Sequence, residues 1–197
     1  MNFFLNVVLP WLPVVFFAGI FLYVAVRYLW YPRRIRYVPL IAGVVSFRIF
    51  YAIFLSGTQY YVWLQNEFTK LLLPPYQPIS YFLFYSWGRF WLNAMIILGV
   101  SLVFWLFLRS LAVWKKDSFR KSEAGLGLLM ALIVGWPHVV IFVPLSFVLA
   151  AIISLARLIF FGKSSVTLGT SFLLAALILF VWGDGLIELF NLGVLRI

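Results

Sequence analysis

The 197-residue chain has no cysteine, one histidine and five acidic residues. Without thiols there is no disulfide framework, no thiolate nucleophile and no cysteine-based zinc or iron–sulfur centre. With His138 alone, no multi-histidine metal site forms, and a lone histidine after Trp136-Pro137 reads as structural. No phosphate-binding glycine loop or dinucleotide fingerprint occurs, and no serine sits in a GxSxG elbow. The sequence therefore predicts no metal and no cofactor.

Charge is scarce as well. Only 10% of the residues are charged and 65% are apolar, with a mean hydropathy of +1.10. Water-soluble domains carry about a quarter charged residues, so this chain belongs in lipid. Its net charge of +10 would suggest nucleic acid in a soluble protein. In a membrane chain the same cations are topology signals and contacts to anionic lipid head groups, and no nucleic-acid partner is expected. The N-terminal stretch MNFFLNVVLPWLPVVFFAGIFLYVAV lacks the basic start and cleavage site of a secretory signal. It is expected to remain as the first span.

A helix crossing about 30 Å of hydrocarbon needs roughly 20 residues. Long apolar stretches fall at about 6–26, 40–56, 90–108 and 167–190, with a double-length run between them that Gly135-Trp136-Pro137 divides into 122–136 and 138–161. The expected fold is an all-α, polytopic membrane protein of about six transmembrane helices in one domain. Residues 58–80, aromatic at first and then proline-rich, read as an interfacial segment or a loop over the bundle. Arg27, Arg33, Arg34 and Arg36 follow the first span, Arg109 to Lys121 the third, and Arg157 and Lys163 the fifth. This bias predicts that both termini lie outside.

Ionisable groups within spans are functional candidates. Arg48, in VVSFRIFYAIF, either lines a polar site as an anion anchor or pairs structurally with an acid of the bundle. Asp184 and Glu188, in VWGDGLIELF, are four apart on one helical face. They suit cation binding or acid/base work, or simply hydrate a helix end. Glu123 opens the run EAGLGLLMALIV, and an acid there also suits a helix N-terminus. Ser56-Gly57 is similar to the Ser-Gly of intramembrane serine proteases, but no late-span histidine is present to activate it.

The C-terminal half, from EAGLGLLMALIV through GWP (135–137) and HVVIFVPLSFVLAAIISLARLIFFGK to TLGTSFLLAALILFVWGD (167–184), resembles the type IV prepilin peptidase family. These GxGD-type aspartic peptidases are polytopic proteins of bacterial and archaeal cytoplasmic membranes. The resemblance places Glu123 at the GxGD aspartate, with Arg120-Lys121-Ser122 where GxG stands. YPRRIRYVP (31–39) is similar to the segment around the other family aspartate, with Pro32 in its place and Leu40 for the Asp or Asn that follows. Sliding the register to use Gly125-Leu126-Gly127 puts Leu128 in the acid position.

Two-carboxylate proteolysis needs one carboxylate to activate water and another to protonate the amide. The chain does not supply that pair: Asp117 shares the loop with Glu123, and Asp184 and Glu188 belong to the opposite face. The resemblance thus implies a catalytically degenerate relative in a bacterial or archaeal cytoplasmic membrane. It would be a binding, scaffold or assembly subunit among other membrane proteins, related to type IV pili or secretion. Two alternatives stay open: a divergent aspartic endopeptidase using Glu123, and a small transporter or substrate-binding component anchored by Arg48.

Overall fold

In lipid no water satisfies the backbone, so each apolar run closes its hydrogen bonds internally as helix. A computed structural model describes residues 9–30, 35–114, 121–161 and 168–195, the side chains of Lys121, Ser122 and Phe161 excepted. Among the described residues there is no strand. The helices are α1 (Leu9–Trp30), α2 (Tyr37–Gln65), α3 (Glu67–Lys70), α4 (Ile79–Ser86), α5 (Leu92–Trp114), α6 (Lys121–Val134), α7 (Val139–Phe161) and α8 (Leu168–Leu189). A π-helical turn, Trp87–Trp91, fuses α4 to α5, and a 3₁₀ turn, Leu192–Leu195, follows α8. Two of the prolines fall where they do little harm. Pro10 and Pro39 sit in first turns, whose N–H groups have no intrahelical acceptor.

Five helices are long and apolar enough to cross a membrane: α1, α2, the fused α4–α5, α7 and α8. The chain is thus an all-α, multi-pass membrane protein. Of the about six spans expected, the fourth is the shortest: α6 has 14 residues and is only about 21 Å long. It is short because it meets no lipid. From Glu123 to Val134 no side chain is exposed, and Leu126, Leu129, Met130 and Ala131 are fully buried. A helix that is apolar all round belongs at the centre of a bundle. Here α5, α2, α8 and α7 pack around it. Gly127 makes the approach possible: a Cβ there would collide with Leu108 of α5 and stand 3.1 Å from the Phe172 ring of α8.

The outer faces of the other helices carry Val15, Leu22, Leu29, Phe50, Leu102, Ile159 and Val181 exposed. Exposed apolar surface on this scale is what a lipid solvent leaves on a helix.

Two spans also run further than expected. α2 continues to Gln65 where an interfacial segment was expected from about 58. Nothing from 58 to 65 breaks a helix, and Trp63 gains a small core of its own with Leu73 and Phe82. The Trp63 and Phe82 rings meet edge to face at 5.4 Å. The third span starts early, at Ile79, because the π-turn joins α4 to α5 without a break. Only α3 and the turns up to Pro78 remain irregular. The Asn66 side chain caps α3 by accepting from Phe68 N–H at 3.0 Å.

Candidate functional site

Three polar places stand out in the bundle, at two different depths. The first is the end where α1 leaves and α2 begins. Glu123 lies in the first turn of α6, where an acid complements the helix dipole, and is only 5% exposed. Tyr37, at the start of α2, lies within electrostatic reach of both Glu123 and Tyr28 of α1. The Tyr37 side chain also packs against Gly125, so that a Cβ there would stand 3.3 Å from it. Tyr28 covers Gly169 at the start of α8, closely enough that any Cβ would collide with its ring. The carboxyl group is therefore near Tyr37, which follows residues 31–36.

The other carboxylates among the described residues are far from this end. Asp184 lies fifteen residues beyond Gly169 on α8, about 22 Å of helix away. Glu188 is one turn further on, and Glu67 follows the opposite end of α2. Pro32 and Asp117 lie outside the described residues.

The second place is the end of α6. A helix leaves its last carbonyls without intrahelical donors, and in a low-dielectric interior each needs a partner. The chain reverses at once through Gly135, which adopts φ +80°. Gly135 N–H takes the Ala131 carbonyl at 3.2 Å. Arg48, reaching from α2, takes the next: its Nε donates to Leu132 O at 3.1 Å, and its Nη2 donates to the same oxygen. The guanidinium also stands over the Phe17 ring, 4.6 Å from its centroid. The structural partner of Arg48 is thus a helix C-terminus, not the acid that was expected. A cation is favourable there on dipole grounds as well.

Gly135 is fixed twice over, since a Cβ would meet Arg48 Nη2 at 3.1 Å on a backbone that side chains rarely adopt. Gly135→Ala is expected to lower stability by about 1–2 kcal/mol. Equilibrium unfolding of the purified chain in mixed micelles, followed by circular dichroism, checks this; an unchanged midpoint contradicts it.

The third place ties the Gly-Trp-Pro turn to the end of the chain. His138 Nε2 lies 3.7 Å from Asp184 Oδ1, and Trp136 Nε1 donates to Leu195 O at 2.8 Å. The His138 ring fits because residue 183 is glycine; a Cβ there would stand 2.6 Å from it. Asp184 therefore meets His138, across 46 residues of sequence, besides sharing a helical face with Glu188. The Asp184 side chain is 80% exposed, so this contact orients the turn more than it stabilises the fold. No group of three or more metal-ligating side chains occurs among the described residues.

Sequence reasoning passed over Arg89 and Asn93. They are four apart and line one cavity with Arg48 and Tyr51, between α1, α2 and the π-turn. Their helical spacing was the available signal. No family model, curated protein or solved structure matches this chain.

Proposed function

We propose that the chain is a non-catalytic, multi-pass membrane protein of prepilin-peptidase-like architecture. In this reading it serves as a binding, scaffold or assembly subunit of a membrane complex related to type IV pili or secretion. One observation carries the reading: Glu123, the only acid in a position resembling a family aspartate, is buried near Tyr37 while Glu67, Asp184 and Glu188 lie toward the other end of the bundle. A carboxylate dyad would have to be Glu123, in the first turn of α6, with Asp117, six residues before it in the sequence.

The test is direct. Purified full-length chain in detergent, incubated with a prepilin substrate, is expected to leave the leader uncut, and E123Q and D117N are expected to behave like the wild type. Cleavage that disappears in either variant overturns the reading in favour of the divergent peptidase. The positive half is tested by purification in mild detergent, where stoichiometric membrane subunits are expected to accompany the chain. Recovery of the chain alone counts against a scaffold role.

A further inference from the structure

The cavity beside Arg48 has a chemical character of its own. Its volume is about 230 Å³, and Pro13, Phe17, Phe47 and Phe90 supply apolar walls. Its polar lining is Arg48, Tyr51, Arg89 and Asn93, with two cations and no acid. Tyr51 is committed elsewhere, donating its hydroxyl to Leu9 O at 3.1 Å. Arg48 gives two donors to Leu132 O, and a guanidinium has five, so three remain. No ion pair to either arginine occurs among the described residues.

The backbone adds a second, independent signal at this point. In the turn Trp87–Trp91 the ladder widens, and Leu92 N–H reaches back five residues to Trp87 O. Single π-turns inside α-helices are frequent at functional sites. This one holds Arg89 and Asn93 on the side facing α2.

We infer that this cavity binds a phosphate-type oxyanion. The anionic oxygens meet Arg48 at the floor and Arg89 at the exposed mouth. Guanidinium forks match tetrahedral oxyanions, and charge-assisted hydrogen bonds are strong where water is scarce. The volume is below the range of about 300–1,000 Å³ of pockets for drug-sized ligands, which suits a small anionic group. The same chemistry occurs in the head group of phosphatidylglycerol and in inorganic phosphate. The site lies apart from Glu123, so the inference stands whether or not the chain cleaves peptides.

Native mass spectrometry of the full chain in neutral detergent, with added short-chain phosphatidylglycerol or phosphatidylcholine, tests the lipid source. Equilibrium dialysis with inorganic phosphate tests the soluble one. Saturable binding of phosphatidylglycerol or phosphate, one per chain, is expected. R89Q is expected to weaken it about tenfold, the loss of one charge-assisted bond. Circular dichroism establishes that the variant is folded. Binding of phosphatidylglycerol alone identifies a lipid site, and binding of phosphate alone a solute site. The inference is overturned if neither binds one per chain, if phosphatidylcholine binds as tightly as phosphatidylglycerol in the absence of phosphate binding, or if a folded variant binds like the wild type.

Discussion

Phe172→Ala is expected to destabilise the bundle by about 3–5 kcal/mol, a loss at the upper end of the range for single core truncations. The ring is 0% exposed and stands where three helices meet α8. It makes an edge-to-face contact with Phe104 of α5 at 6.0 Å and a tilted one with Phe142 of α7 at 6.2 Å. Gly127 of α6 offers its bare backbone to the same ring. Truncation removes all three contacts and leaves a void lined by apolar groups, which water does not fill. Phe172→Leu keeps most of the volume and is expected to lose well under half as much. Unfolding midpoints of the two variants in mixed micelles decide the point. Equal losses would mean that the edge-to-face geometry, not the volume, matters at this position.

Arg48→Met is the second large effect, a loss of about 2–3 kcal/mol. The carbonyl matters more here than the charge. Methionine fills most of the space beside Phe17 but donates nothing, so Leu132 O is left buried without the donors it now has. An unpartnered carbonyl in hydrocarbon is among the costliest defects a membrane helix carries. Lysine restores a cation but not two converging donors, and Arg48→Lys is expected to recover only part of the loss. The same unfolding measurement applies. If methionine proves as stable as arginine, another donor must reach the end of α6 and the capping account is wrong.

Much of the architecture was legible from length, charge and punctuation. The Gly135-Trp136-Pro137 turn was readable because glycine and proline restrict the backbone locally, and α6 does end at Val134. The reach of α2 was not, because Tyr60, Tyr61 and Trp63 signal an interface by composition, although Trp63 turns inward to Leu73 and Phe82. Nor was the burial of α6 legible. In a soluble protein the polar face of a helix marks its solvent side, but in lipid both sides are apolar and the mark is gone. The partner of Arg48 was hidden for another reason. Sequence displays acids, whereas an orphan carbonyl exists only where a helix stops in three dimensions. Arg89 and Asn93 were visible as letters, yet the π-turn that sets them toward α2 has no compositional signature.

The enclosed position of α6 also orders the making of the protein. Chains enter a bilayer from the N-terminus onward, and a segment of about 21 Å is shorter than the hydrocarbon layer it must settle in. Before its neighbours arrive, α6 faces a mismatch at one end or a locally thinned bilayer. α5 and α2 cover part of it, but Gly127 is sealed only when α8, made later, packs against it. α6 therefore reaches its resting place only after α8 has been made.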